Sequence, residues 1–136
     1  MSERIERILR EARTVAVVGA SRDPEKPGSS VPLDLQRRGF RILPVTPSAD
    51  SLFGERAYPT LADLPEPVDV VEVFRPSDEA PDIARQAVAI GARVLWLQLG
   101  ITSTEARRIA ETAGLEYVED RCMGVESARH HIEKNG

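Results

Sequence analysis

Five short runs of β-branched and aliphatic residues mark the sequence: 14–19, 40–45, 68–74, 93–99 and 115–118. The first is the most constraining. Val15, Ala16, Val17 and Val18 follow one another without a polar residue, so the strand cannot keep one face in water and belongs inside a sheet covered on both sides. Between the runs lie segments with helical spacing. Ser2–Ala12 places Ile5, Ile8, Leu9 and Ala12 on one face, with Ser2 as its cap. Further helices are expected from Ser29 or Ser30 to Gly39, from Ser77 or Asp78 to Ile90, from Thr102 or Ser103 to Ala113, and over Glu126–Lys134. Residues 49–67 are less regular, with TLADLP at 60–65 reading as one helical turn capped by Thr60. Strands alternating with helices give βαβ units, hence an α/β fold with a doubly wound parallel sheet of five strands and helices on both faces. Right-handed crossovers leave two orders open, 3-2-1-4-5 and 2-1-3-4-5.

The 136 residues suit one domain, 1–136, with 1–13 as an N-terminal helix and 126–136 as a helical tail. Aromatics are only 4%, so the core must come from Val, Ile, Leu and Ala. A net charge of −4 argues against a general nucleic-acid binder, which needs a basic face. One cysteine excludes an internal disulfide framework and a cysteine zinc cluster. No apolar run approaches the roughly 20 residues of a membrane span, and the charged start MSERIERILREAR lacks a signal-peptide core. A cytoplasmic protein that does not bind membranes is expected.

In such a sheet, ligands sit beyond the carboxyl ends of the strands. The loops there are 19–30, 45–48, 74–77, 98–101 and 119–124. The first is longer than a tight turn needs and carries Gly19, Arg22, Lys26, Gly28, Ser29 and Ser30 just before a helix. It matches neither the G-x-G-x-x-G fingerprint nor the P-loop, yet a strand, a glycine loop and a helix start together form a phosphate cradle. The second strand ends Pro44, Val45, Thr46, Pro47, with no acid before Asp50. An NAD site would want an acid there for the ribose hydroxyls. The two prolines fix an extended turn that is either a ring-binding wall or a plain loop.

Arg75 could reach a phosphate, Phe74 either lines the ligand or closes the core, and Pro76 stiffens the lip. Gln98 in an apolar strand is either satisfied by nearby backbone or turned to the crevice. Cys122 follows Arg121, a cation that could activate it, but the only histidines, His130 and His131, lie in the tail. No metal-ligand spacing occurs, and no residue is singled out as catalytic. The pattern shows a binding site more clearly than a reactive one.

The segments VAVVGASRDPEKPGSSV, ILPVTPS, GERAYPTLADLPEPVDVVEVFRPSDEAP, AIGARVLWLQLGI and AGLEYVEDRCMGVE resemble, in this order, the small stand-alone CoA-binding proteins. These are similar to the N-terminal CoA-binding domain of the succinyl-CoA synthetase α subunit. The resemblance covers roughly residues 10–128 and implies a Rossmann-like sheet ordered 3-2-1-4-5 with coenzyme A across its carboxyl edge. It implies that Gly19, Ala20, Ser21 and Arg22 line the diphosphate, with Lys26, Gly28, Ser29 and Ser30 completing the loop. Pro44, Val45, Thr46 and Pro47 would form the adenosine wall. Phe74, Arg75 and Pro76 would flank the nucleotide and the start of the pantetheine arm. Gln98, Leu99 and Gly100 would run beside that arm, with Cys122 toward its thiol end.

The synthetase carries its phosphorylated histidine in a second domain and its ATP site on another subunit. These 136 residues contain neither, so a coenzyme A or acyl-CoA binding module without its own catalysis is expected, with a protein partner supplying any chemistry. Two other readings stay open: a CoA-dependent acyl-transfer or thioester-handling enzyme using Cys122 or a partner subunit, and an NAD-type dinucleotide binder.

Overall fold

The structure is a computed structural model that describes residues 2–134. Five parallel strands form the main sheet: β1 (Thr14–Val18), β2 (Arg41–Val45), β5 (Val70–Val73), β6 (Val94–Leu97) and β7 (Glu116–Val118), in the order β2-β1-β5-β6-β7. A small antiparallel hairpin, β3 (Ser51–Leu52) and β4 (Glu55–Arg56), lies in the connection after β2. The helices are α1 (Ser2–Glu11), α2 (Pro27–Arg37), α3 (Ala80–Ala89), α4 (Thr104–Thr112) and α5 (Met123–Arg129).

The α/β architecture is the expected one, and the strand order is one of the two left open by right-handed crossovers but not the one implied by the resemblance. Counting only the five long strands it is 2-1-3-4-5, in place of the 3-2-1-4-5 implied by the resemblance. Pro44 gives the physical reason. Its carbonyl points away from β1 and accepts from Tyr58 N–H at 3.0 Å, so its nitrogen, which has no hydrogen to donate, faces the same outer side. Proline is tolerated in a sheet only where no ladder bond is required of it, at an edge. The second strand therefore ends the sheet, and the third crosses β1 to pair on its other side, with Val15 opposite Val70 and Val18 opposite Val73.

The pleat sends Val15 and Val17 to one face and Ala16 to the other. On the first face they pack with Val70, Trp96 and Val118 under α1, α2 and α5. On the second, Ala16, Leu43, Val71, Leu95 and Tyr117 pack under α3 and α4, whose inward residues include Ala80, Ala84, Ala106 and Ala110. Alanine lets those two helices approach the sheet and each other closely.

Several element ends differ from expectation. Helix α2 begins at Pro27, because proline's fixed φ suits a first helical position. A 3-10 turn, Ser77–Glu79, precedes α3, and the turn at Leu61–Asp63 has the reciprocal Thr60–Asp63 capping box. The last helix is α5, not 126–134. Cys122 is extended and releases the chain into helix at Met123. His131 then adopts φ 54°, and Ile132 N–H bonds back to the Ser127 carbonyl at 2.9 Å. That left-handed stop closes the helix and returns Ile132, 1% exposed, to the core. Residues 135–136 of the expected tail lie outside the described residues.

Candidate functional site

At the carboxyl edge of the sheet two cavities adjoin, of about 460 and 670 Å³. Gly19, Thr46, Ser48 and Arg75 line both and form the ridge between them. The smaller lies on the α2 side, the larger on the α3 side.

The α2 side is built by the loop after β1. Gly19 sits at φ 86°, and a Cβ there would lie 2.9 Å from Arg75 Cδ. Its N–H donates to the Val45 carbonyl at 3.1 Å, which holds the loop over the end of β2. The loop then closes on itself. Ser21 N–H donates to the Gly28 carbonyl at 3.0 Å, Asp23 N–H to Ser21 Oγ at 3.0 Å, and Glu25 N–H to Asp23 Oδ1 at 3.0 Å. A Cβ on Gly28 would lie 2.8 Å from the Gly19 carbonyl oxygen, so the start of α2 is drawn against the strand end in a way only glycine permits.

The electrostatics of this side favour an anion. The first turn of α2 has no acidic residue, and its N-cap, Lys26, makes no side-chain capping bond. No acid within the first turn and no side-chain cap therefore offsets the positive end of the helix. Arg22 donates from Nη2 to the Ser48 carbonyl at 3.3 Å. Among the described residues neither Arg22 nor Lys26 pairs with a carboxylate.

The expected site residues divide by position. Gly19, Ala20, Ser21, Arg22, Lys26, Gly28, Thr46, Phe74, Arg75 and Gln98 line the α2-side cavity. Val45 and Pro47 line the α3-side one, with Gly19, Thr46 and Arg75. Ser29, 4% exposed, and Pro44, buried within β2, line neither. Pro76 and Gly100 also line neither, and Gly100 N–H instead ties to Asp120 Oδ1 at 2.7 Å. Ser30 and Cys122 share a separate shallow groove between α2 and α5, with Gly124 and Val125. The structure does not bring Cys122 together with the cradle.

Gln98, 4% exposed, satisfies both readings offered for it. Its Oε1 accepts Met123 N–H at the start of α5 at 3.3 Å, and the residue lines the cavity. Arg75 forks onto Glu79, Nε to Oε1 at 3.0 Å and Nη2 to Oε2 at 2.8 Å, so its charge is engaged before any ligand arrives.

Other lining residues escaped the sequence reading. Ser48, Ala49 and Leu52 reach the α2 side, while Pro59, Thr60 and Leu61 close the α3 side. Ser48 belongs to the 45–48 loop already expected at this edge, whereas the others come from the irregular 49–67 stretch, which carries no periodic signal. One buried group beneath the site was also unforeseen. Glu72 pairs in register with Val17 and Trp96 and thus points to the α2 face, one pleat below Phe74. It is 0% exposed, its carboxyl oxygens have no hydrogen-bond partner, and burial pushes it up to about 8. Among the described residues no helix is long and apolar enough to cross a membrane, and no group of three His, Cys, Asp or Glu residues is placed to hold a metal ion.

Comparison with known proteins adds to this geometry. Residues 13–128 match a family described as CoA binding domain. The uncharacterized protein YneT of Bacillus subtilis is 33% identical over 124 residues, 91% of this chain and 92% of that one. An ADP-forming acetate–CoA ligase II of Archaeoglobus fulgidus is 34% identical over 101 residues, 73% of this chain, which spans only 15% of the ligase. A solved structure from Thermus thermophilus superimposes with a TM-score of 0.91 at 39% identity, covering 96% of this chain and 98% of that one.

Proposed function

We propose that this chain, which belongs to the CoA binding domain family, holds coenzyme A or an acyl-CoA across the carboxyl edge of its sheet and performs no reaction by itself. The observation that carries the reading is the open start of α2. It has no acid in its first turn and no side-chain cap, and it stands over a cavity with two cations, Arg22 and Lys26, that make no ion pair among the described residues. A diphosphate fits that chemistry: backbone N–H groups and a helix dipole for its oxygens, two cations for its charge. The close approach of Gly28 to Gly19 sets the helix start beside the strand end at the edge of that cavity. In this reading Gly19–Arg22, Lys26 and Gly28 hold the diphosphate, Val45–Pro47 meet the adenosine, and Phe74 and Gln98 flank the pantetheine arm.

The ribose end supports coenzyme A over an NAD-type dinucleotide. The β2 loop runs Thr46, Pro47, Ser48, and Asp50 lines neither cavity. The absence of autonomous chemistry is supported by position. Cys122 and both histidines lie outside the two cavities; His130 sits instead against Glu6 of α1, at 3.5 Å. The relation to a domain that is a small part of a CoA ligase supports a protein partner that supplies catalysis.

Titrating the purified protein with coenzyme A in a calorimeter, with NADH as competitor, tests the reading. Saturable heat that NADH does not displace is expected. No heat at high micromolar coenzyme A from folded protein rejects it.

A further inference from the structure

Among the described residues Arg75 is the single cation lining the α3-side cavity, against three carboxylates, Asp78, Glu79 and Asp82. Its aliphatic stem lies on Gly19, where a Cβ would come within 2.9 Å of Cδ and 3.2 Å of Cγ. The guanidinium thus starts from the ridge between the cavities, at the point from which a strand-end arginine could turn to either side. It turns to Glu79, making the two-pronged contact at 3.0 and 2.8 Å that matches guanidinium to carboxylate. Pro76 and the 3-10 turn Ser77–Glu79 fix where that carboxylate stands. The hydrogen bond from Arg75 holds Glu79 below the usual carboxylate range, so the pair stays charged on both sides at neutral pH.

We propose that Glu79 is a positioning residue that withholds Arg75 from the ligand's diphosphate and so confines that anion to the α2 side of the crevice. The inference rests on the coenzyme A reading above and deepens it. A phosphate at Arg75 must displace Glu79 and then face Asp78 and Asp82 across the same cavity. A phosphate on the α2 side meets Arg22, Lys26 and a helix start without acids. The first turns of the two helices differ, because α3 carries Asp82 in its first turn, and Asp78 and Glu79 before it line the cavity. By contrast, α2 has no acid in its first turn, and neither Asp23 nor Glu25 of the preceding loop lines the α2-side cavity. The polarity across the ridge favours the diphosphate under α2, away from Asp78, Glu79 and Asp82.

Inorganic pyrophosphate is the probe, titrated at low ionic strength into the wild type, Glu79→Gln and the double variant Arg75→Gln with Glu79→Gln. Removing the competing carboxylate is expected to tighten pyrophosphate binding about two- to fivefold, and the double variant is expected to lose that gain. In Glu79→Gln, backbone amides of 75–82 should respond to pyrophosphate in NMR spectra, whereas in the wild type only those of 19–30 should. A merely structural Glu79 would not move that boundary. If Glu79→Gln folds poorly, Glu79→Ala carries the same expectation. No gain on removing the carboxylate, or a gain that survives loss of Arg75, overturns the inference. Coenzyme A titrated into the wild type reads the parent function separately: heat there without a pyrophosphate gain overturns this inference alone.

Discussion

Gly28 and Gly19 meet backbone to backbone. A methyl group on Gly28 would stand 2.8 Å from the Gly19 carbonyl oxygen, a contact that no flexible side chain can relieve. The start of α2 and the end of β1 are held at that distance by residue type, and the cradle is the result.

Gly28→Ala should therefore push α2 away from the strand end. Overpacking of this kind costs about 1–3 kcal/mol, and the displacement also opens the cradle. A lowered thermal midpoint together with weakened coenzyme A binding is expected from melting curves and calorimetry. Wild-type values for both would refute the claim that this contact shapes the site.

Arg22→Ala and Lys26→Ala should each weaken coenzyme A binding by about 1–3 kcal/mol, the usual worth of a hydrogen bond to a charged group. Stability should change little, since both side chains are exposed and make no ion pair among the described residues. Affinity that is unchanged in both variants, measured at fixed salt, rejects their placement on the diphosphate.

Gln98 joins the site to α5. Gln98→Leu preserves bulk but removes the acceptor for Met123 N–H, leaving a buried donor unpaired at about 1–3 kcal/mol. Thermal unfolding should register that loss, and an unchanged midpoint would show that the 3.3 Å bond contributes nothing.

Much of this was legible in the residues. The apolar run Val15–Val18 marks a strand covered on both faces, and Gly19, Gly28 and Lys26 locate the cradle before any fold is known. The strand order was also written there, in Pro44, since a strand that cannot donate at its middle belongs at an edge; family resemblance pointed the other way. Only the β2 end of the α3-side wall, Val45–Pro47, was legible. Pro59, Thr60 and Leu61 act through the parallel bridge of Tyr58 to Val45, a long-range contact that no local periodicity encodes. Nor could the Arg75–Glu79 pair be read with assurance, because the same arginine at a strand end serves a ligand equally well until the following turn is placed. Cys122 illustrates the same limit: adjacent to Arg121 in sequence, it faces a groove of its own.

Glu72 supplies the last prediction, on pH. In the unfolded chain its carboxyl titrates near 4.5, whereas burial raises it to about 8 in the fold. The folded state therefore binds the proton more tightly. Its contribution to stability is fully present below about 4.5 and is lost as pH rises through about 8, at about 1.4 kcal/mol per pH unit between them. Glu72→Gln keeps the shape, carries no charge, and should erase that slope. Melting midpoints recorded from pH 5 to 9 should fall more steeply for the wild type than for the variant, with the variant the more stable of the two at pH 9. Parallel curves would mean that Glu72 reaches water or a partner when it ionises. The carboxyl lies one pleat below Phe74, which lines the α2-side cavity, so under the proposed function its ionised form would also repel a diphosphate held there. Coenzyme A affinity should then decline above pH 8 in the wild type and hold steady in Glu72→Gln.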